Sequence, residues 1–194
     1  SKIAIETIRE FKDIQSENAL ADIVQLINSK IYAKSQQSPD YKGMGTTLVL
    51  CRIQGKQAVI YHIGDSRAYL IRDGEASCIT KDHSLVQEMV DRGEISESES
   101  KTHPMKNVIT RAVGVQETTV PTEDIIQIQK DDCILLCSDG VSNVLADEQI
   151  AQICTDFESK EAVMRLCEQA KELGSKDDIT AVLIKIPKIE VNNV

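Results

Sequence analysis

The segment Cys-Ile-Leu-Leu-Cys-Ser-Asp-Gly (133–140) decides how this chain folds, because an apolar run stops there at a carboxylate and a glycine. A short apolar run of this kind predicts a buried strand, so Asp139 is expected at the rim of a sheet. Asp65 ends a second apolar run, and Asp177 and Asp178 precede a third. Carboxylates at three strand ends are the oxygen ligands that hard divalent cations take. The pattern therefore predicts a cation site, and such a site suits metal-assisted water chemistry on a phosphate.

Composition limits the fold and the partners. The chain has 194 residues, 41% of them hydrophobic but only 3% aromatic, and it has no Trp. This length predicts one domain with an aliphatic core. The net charge of −9 argues against nucleic acid or an anionic membrane surface as a partner. A phosphate substrate remains compatible with this charge, because bound cations can invert the local field.

The six cysteines are expected to be reduced core residues of a cytoplasmic protein. Most lie in apolar runs, none forms a Cys-x-x-Cys pair, and the three histidines show no zinc-ligand spacing with them. His62 and His83 are expected to be hydrogen-bonded structural residues. No segment is apolar and long enough to predict a membrane-spanning helix.

Periodicity predicts helices at both ends of the chain with strands between them, an α+β pattern. The first helix is expected to place Ala4, Ile8 and Phe11 on one face. The second has a clear apolar stripe: Leu20, Ile23, Val24, Ile27 and Ile31. Further helices are expected within 84–105, at about 147–154 and at 158–172, the last of them capped by Gly174. Strands are expected at 45–53, 57–63, 67–72 and 75–79 as an antiparallel meander, and at 107–111, 123–128, 132–137 and 178–186.

Six motifs follow one another in the sequence. They are Gly-Met-Gly-Thr-Thr-Leu (43–48), Ile-Gly-Asp-Ser-Arg-Ala-Tyr-Leu (63–70), Ile-Thr-Lys-Asp-His-Ser-Leu-Val (79–86), Asn-Val-Ile-Thr-Arg-Ala-Val-Gly (107–114), Leu-Leu-Cys-Ser-Asp-Gly (135–140) and Gly-Ser-Lys-Asp-Asp-Ile-Thr (174–180). The ordered set resembles the bacterial branch of the metal-dependent type-2C protein serine/threonine phosphatases. Each motif alone is modest, but six in this order are specific, and the resemblance covers essentially the whole chain.

The resemblance implies an αββα four-layer sandwich of antiparallel sheets flanked by helices, with Mn²⁺ or Mg²⁺ bound at one end. By motif match Asp139 and Asp177 are metal ligands and Asp65 serves a third, weaker ion. Ser138, Gly140 and Asp178 are the residues expected immediately around these ligands. The implied reaction is hydrolysis of phosphoserine and phosphothreonine on proteins by a metal-activated water. No catalytic residue beyond the metal ligands is implied.

The chain departs from the family pattern in two places. Asp178 stands where the family has Asn, which adds negative charge beside the metals and is either a neutral replacement or a change that perturbs metal affinity. The leading strands with a phosphate-binding Arg and an Asp-Gly-Met-Gly-Gly motif are not found, and Ser1 begins where the following helix normally starts. We therefore expect an N-terminally incomplete, weakly active phosphatase domain over 1–187, followed by a tail at 188–194.

Other interpretations stay open at this point. A phosphatase-like regulatory or phosphoprotein-binding module without catalysis would also lack the leading metal motif. Asp139 could be a turn residue, Asp177 and Asp178 could be polar residues before a strand, and Asp65 could have a structural role. The expected partners are phosphorylated proteins and a serine/threonine kinase, without nucleic acid or membrane, and the protein is expected to be a monomer.

Overall fold

Helices and strands form largely where the periodicity predicts them in the computed structural model, which describes residues 1–11 and 19–187. The expected tail at 188–194 lies outside the described residues. The helices are α1 (Lys2–Glu10), α2 (Ala19–Ser35), α3 (Leu85–Asp91), α4 (Glu97–Ser100), α5 (Asp139–Ser142), α6 (Asp147–Asp156) and α7 (Ser159–Glu172). The strands are β1 (Leu48–Gln54), β2 (Gln57–Ile63), β3 (Arg67–Arg72), β4 (Glu75–Cys78), β5 (Thr122–Gln127), β6 (Cys133–Cys137) and β7 (Ala181–Lys185).

The described strands form two sheets, one in the order β1-β2-β5 and one in the order β4-β3-β6-β7. Every neighbouring pair in the second sheet is antiparallel. The expected meander is therefore wrong, because β1 and β2 belong to one sheet and β3 and β4 to the other. Tight turns predict which consecutive strands pair with each other, but they do not predict which sheet a pair joins. The strand expected at 107–111 is also wrong, since that stretch contributes only an isolated bridge between Ser84 and Ile109.

The chain divides into two compact units, each made of segments that are separate in the sequence. The first, which we call the helical unit, contains the described residues of 1–48, 61–65 and 82–123. The second, which we call the sheet unit, contains residues 49–60, 66–81 and 124–187.

Helix α2 supplies the core of the helical unit, as its apolar stripe predicts. All five stripe residues are buried. The prediction for α1 is only partly right. Ala4 and Thr7 are its buried residues, whereas Phe11 is 40% exposed because the helix has already ended at Glu10.

Asn28, fully buried on α2, holds a loop of the helical unit. Its Nδ2 donates to the carbonyl oxygens of Gln116 and Glu117 at 3.0 Å each, and its Oδ1 accepts the Gly114 N–H at 2.7 Å. One polar side chain thus satisfies three backbone groups that would be costly to bury without partners. Gly114 has φ +88° and lies so close to Ile31 that a Cβ would be 2.1 Å from Ile31 Cγ2, so only glycine fits there.

The core of the sheet unit is one apolar cluster that joins β3 and β6 to α6 and α7. Its fully buried members include Tyr69, Leu135, Ile150 and Leu166. The predicted Gly174 cap on α7 is confirmed. Gly174 has φ +81°, its N–H donates to the Lys171 carbonyl, and the Ser175 N–H donates to the Ala170 carbonyl, both at 3.0 Å.

Cysteine burial agrees in part with the expectation. Cys133, Cys137 and Cys154 are buried, but Cys78 is exposed near the end of β4. The six cysteines all lie in the described residues, and none of them forms a disulfide. Over the same residues, no helix combines the length and the apolar character that crossing a bilayer requires.

An ion pair between the half-buried Arg72 and the buried Asp132 holds the end of β3 in the sheet unit. Arg72 donates from Nε to Asp132 Oδ1 at 2.9 Å and from Nη2 to Asp132 Oδ2 at 2.7 Å. The Asp132 side chain is only 2% exposed, and it also accepts the Gln129 N–H at 2.6 Å. The hydrogen bonds from Arg72 hold the pKa of the Asp132 carboxyl below its usual value.

We predict that Asp132→Asn destabilises the protein at pH 7 by about 2 kcal/mol, because it weakens the charge-assisted hydrogen bonds from Arg72, which itself keeps part of its hydration. Because folding lowers the pKa of Asp132, the ionised pair stabilises the protein above the unfolded pKa of about 3.9. That contribution is lost as the pH falls through the lower folded pKa. Urea unfolding at several pH values should therefore show the difference between the two proteins narrowing below about pH 4.

Glu161→Gln is the matched control, since it breaks an exposed pair with Arg165 one helical turn away. Its cost should stay near 0.5 kcal/mol. A loss for Asp132→Asn no larger than the control's, or a loss that does not change with pH, would contradict the assignment.

Candidate metal centre

Asp139 lies where the sequence predicts it, directly after the strand β6. Four of the five β6 residues are buried, and antiparallel pairing with β3 and β7 holds the strand on both sides. Ser138 follows in an extended conformation and Asp139 is then the first residue of α5. The short helix α5, which periodicity did not predict, turns the chain at once. Because β6 is buried and ends at Cys137, it places the half-buried Asp139 carboxylate at the end of the sheet.

The Ser138 hydroxyl joins the ends of β6 and β7. Its Oγ donates to the Asp178 carbonyl oxygen at 2.6 Å and accepts the Thr180 N–H at 3.0 Å. The Ser138 N–H donates to the Thr180 carbonyl oxygen at 3.0 Å, which extends the ladder beyond the pair of Cys137 with Ala181. These three hydrogen bonds hold the backbone of Asp178 against the residue that precedes Asp139.

Gly140 permits this close approach. A Cβ at this position would lie 2.6 Å from the Asp178 carbonyl oxygen and 3.3 Å from the Asp177 carbonyl oxygen. Those atoms belong to the backbone and cannot rotate away, so a larger residue would push α5 and the start of β7 apart. Each residue of the Ser-Asp-Gly sequence therefore has a physical role. Ser138 joins two strand ends, Asp139 presents carboxylate oxygens, and Gly140 allows the close approach of the Asp178 backbone.

Two hydrogen bonds orient the carboxylates of Asp139 and Asp177. Asn143 Nδ2 donates to Asp139 Oδ2 at 3.1 Å across one turn of helix, and the Asp178 N–H donates to Asp177 Oδ1 at 2.8 Å. Asp177 and Asp178 are exposed to solvent. Sequence reasoning missed Asn143, although its spacing of four residues from Asp139 is the signal that predicts such a contact.

The donor chemistry fits a hard divalent cation, because carboxylate and carbonyl oxygens are the ligands that Mn²⁺ and Mg²⁺ take. The set is small. Within residues 1–11 and 19–187, no group of three or more His, Cys, Asp or Glu side chains comes close enough to hold a metal ion. Asp139 and Asp177 thus stay a predicted ligand pair. The prediction is supported by the Ser138 junction, which is our name for the hydrogen bonds that link Ser138 to Asp178 and Thr180.

Asp65 lies in the helical unit, two residues after β2, and is half-buried. Gly64 before it has φ +103°, and a Cβ there would lie 2.4 Å from Thr47 Cγ2. His83 contacts both sides of Gly64, and its ring stacks on buried His62 with centroids 4.7 Å apart. The expectation that both histidines are structural residues agrees with this packing, but the sequence did not indicate that His83 holds the glycine before Asp65.

Burial, and after it the charge of nearby Arg111, lowers the pKa of His83 to about 4. The imidazole is therefore neutral at physiological pH. Arg111 in turn donates to the Thr122 hydroxyl at 3.2 Å and to the Val120 carbonyl. The Asn-Val-Ile-Thr-Arg-Ala-Val-Gly motif (107–114) thus places its arginine beside the histidine of the 79–86 motif.

Comparison with known proteins gives consistent results. Residues 1–183 match the family model described as protein phosphatase 2C. The serine/threonine protein phosphatase PstP of Mycobacterium tuberculosis is 41% identical over 159 residues, which are 82% of this chain and 31% of PstP. The serine/threonine phosphatase stp of Listeria monocytogenes is 35% identical over 173 residues, which are 87% of this chain and 68% of that relative.

Solved structures agree with the sequence comparisons. The catalytic domain of PstP in complex with two manganese ions matches this chain with a TM-score of 0.86 at 36% identity, covering 96% of this chain and 80% of that one. The expected α+β class with antiparallel sheets and helices is confirmed by this agreement. The matched region nevertheless spans less than a third of the length of mycobacterial PstP.

We predict that Ser138→Ala lowers the free energy of unfolding by about 1 kcal/mol, the net value of a hydrogen-bonded hydroxyl, and also weakens Mn²⁺ binding. Ser138→Thr keeps the hydroxyl and should retain both properties. Urea unfolding and calorimetric Mn²⁺ titration measure the two effects separately. If the Ala and Thr variants bind Mn²⁺ equally well, the Ser138 hydroxyl does not contribute to cation binding by Asp139 and Asp177.

A second prediction concerns Asp139 itself. Asp139→Asn should weaken Mn²⁺ binding at least about 10-fold, since loss of a ligand costs no less than loss of a residue that supports one. Asp147→Asn on α6 removes an exposed acid of the same unit and should leave the calorimetric titration unchanged. Equal weakening by both variants would mean that general negative charge, and not a ligand, determines the affinity.

Proposed function

The chain belongs to the protein phosphatase 2C family, and we propose that it hydrolyses phosphoserine and phosphothreonine on proteins with divalent cations. The observation that supports this most directly is the junction at Ser138, where the backbone of one acidic segment is hydrogen-bonded next to Asp139. Two strand ends that meet in this way bring the oxygen donors of Asp139 and of the segment 177–178 to the end of one sheet. Relatives named as serine/threonine phosphatases give the reaction type.

Asp139 and Asp177 would hold the cations in this proposal, and Asp65 would serve a weaker third ion. Bound cations would neutralise the phosphoryl oxygens and activate water for attack on phosphorus. Other residues of the chain orient these ligands. Asn143 fixes the rotation of the Asp139 carboxylate, and Ser138 fixes the backbone that leads to Asp177. Asp178 adds a further negative charge, which favours cation binding at this end of the sheet.

The identity of the ions is part of the proposal. Manganese is favoured because the related PstP domain was solved with two manganese ions, and Mg²⁺ takes the same oxygen ligands. The proposed substrates are phosphorylated proteins, and the natural opponent is a serine/threonine kinase. We propose a monomer that works in the cytoplasm, where cysteines that form no disulfide are kept reduced.

A second function has one observation in its favour. The described residues contain no group of three metal-ligating side chains, so a phosphatase-like module could bind phosphoproteins without hydrolysing them. The two functions differ in the fate of the phosphate, because an enzyme releases it and a binding module retains the phosphopeptide intact.

We predict Mn²⁺-dependent release of inorganic phosphate from a phosphothreonine peptide. Asp139→Asn should lower the rate at least about 100-fold, the upper range for disturbing a metal's surroundings. Asp147→Asn is the matched control and should leave the rate unchanged. The measurement is phosphate release at high protein concentration, with and without Mn²⁺, together with peptide binding by fluorescence anisotropy.

The outcomes separate the two functions. Mn²⁺-dependent release that Asp139→Asn removes supports the enzyme. Phosphopeptide binding without any release supports the regulatory module. Release that continues in the presence of a strong chelator would contradict both the metal assignment and the proposed mechanism.

A further inference from the structure

Both sides of Gly64 are hydrogen-bonded to one residue, His83. The Gly64 N–H donates to the imidazole Nδ1 at 3.1 Å, and the His83 N–H donates to the Gly64 carbonyl oxygen at 2.9 Å. The Gly64 N–H belongs to the peptide between Ile63 and Gly64. The Gly64 carbonyl oxygen belongs to the peptide between Gly64 and Asp65. His83 therefore fixes the two peptide planes that decide in which direction the Asp65 side chain leaves the backbone.

Gly64 has no freedom to compensate for a change at His83. Its φ of +103° is a conformation that side-chain-bearing residues rarely adopt, and its α-carbon is packed against Thr47. With the packing on one face and the two hydrogen bonds along the backbone, the segment has one conformation available. Asp65 then inherits its orientation from its neighbours.

The other edge of the ring is also in polar contact. Nε2 is 2.9 Å from the Thr122 hydroxyl and 2.9 Å from Arg111 Nη1. Arg111 Nη1 also donates to the Thr122 hydroxyl at 3.2 Å. The two edges of the ring thus meet different segments, Gly64 at Nδ1 and the Thr122–Arg111 pair at Nε2.

Burial holds the ring in this orientation. His62, which is 1% exposed, stacks on it with an interplanar angle of 14°. The ring is thus fixed by stacking on its face, by Thr122 at Nε2 and by Gly64 at Nδ1.

We propose that His83 is the positioning residue for Asp65: through Nδ1 and its own N–H it aims the Asp65 carboxylate for a divalent cation. This inference rests on the proposed function, which assigns Asp65 to a cation, and it adds a residue that acts through Gly64 without touching the ion. Residues of this kind around a metal ligand typically contribute about 10-fold to 100-fold in metal affinity.

Three substitutions separate the roles of the ring. His83→Asn places a side-chain oxygen near the position of Nδ1 and can still accept the Gly64 N–H. His83→Gln offers its polar group farther out, nearer to Nε2, and His83→Leu keeps apolar volume alone. Asp65→Asn serves as the reference for loss of the ligand.

The experiment is calorimetric Mn²⁺ titration of the 194-residue chain and these four variants, with thermal melts of each. Asp65→Asn should weaken Mn²⁺ binding, His83→Gln and His83→Leu should reproduce about 10-fold of that weakening, and His83→Asn should restore most of the affinity. Melting temperatures should not follow the same order, because rescue by Asn depends on the acceptor and not on ring packing. On the wild type, NMR should detect a scalar coupling between the Gly64 nitrogen and His83 Nδ1.

Each contrary result has a distinct meaning. If Asp65→Asn weakens binding but His83→Gln and His83→Leu do not, Asp65 is a ligand and His83 does not position it, which overturns the inference. If Asp65→Asn has no effect, the inference also fails because Asp65 meets no cation, while the Asp139→Asn titration still tests the proposed metal centre independently. A missing coupling between Gly64 and His83 would overturn the inference whatever the variants bind.

Discussion

The register between β6 and β7 is the constraint on which the acidic end of the sheet unit depends. Cys137 pairs with Ala181, so the next residue, Ser138, reaches the backbone of Thr180 and Asp178 with its N–H and its hydroxyl. Side chains on a strand alternate between faces, so a slip of one residue would exchange the buried and outer faces of β7. It would also remove the hydroxyl from the carbonyl that it now meets. Burial of the apolar β6 residues thus fixes the register, and the register fixes the acids.

Asp139 and Asp65 lie in different units but are held by the same physical arrangement. Each lies next to a glycine at which a Cβ would collide with a neighbouring segment, Gly140 with Asp178 and Gly64 with Thr47. In each case a polar side chain then hydrogen-bonds to the backbone at the point of close approach, Ser138 in one unit and His83 in the other. Close packing removes conformational freedom and the hydrogen bonds decide which conformation is kept. Acids held in this way lose little entropy when they meet a cation, in contrast to acids on long, mobile side chains.

The sequence predicted local structure better than partners across the fold. The α2 stripe, the Gly174 cap and the strands β2, β3 and β6 follow from periodicity and turn chemistry, which are local properties. The assignment of β1–β2 and β3–β4 to different sheets depends on non-local contacts that no period reveals. The Arg72–Asp132 pair joins residues that are 60 positions apart, and composition gives no signal for it. Among the site residues, the positions of the acids followed from the strand ends. Their orientation by Asn143 and His83 did not, because it depends on which atoms of distant segments meet.

Charge explains why the proposed chemistry needs cations before it needs a substrate. The chain has a net charge of −9, and Asp177 and Asp178 are consecutive acids beside the backbone of Ser138. A phosphate dianion approaching bare carboxylates would be repelled, and the repulsion is largest where the groups are least hydrated. A divalent cation on these oxygens reverses the sign of the local field. Asp178 strengthens this dependence, since one more carboxylate makes the empty site more repulsive and the loaded site easier to form. Under the proposed function, the acids that would repel a phosphate from the empty site are therefore the ones that would bind the cations that let it approach.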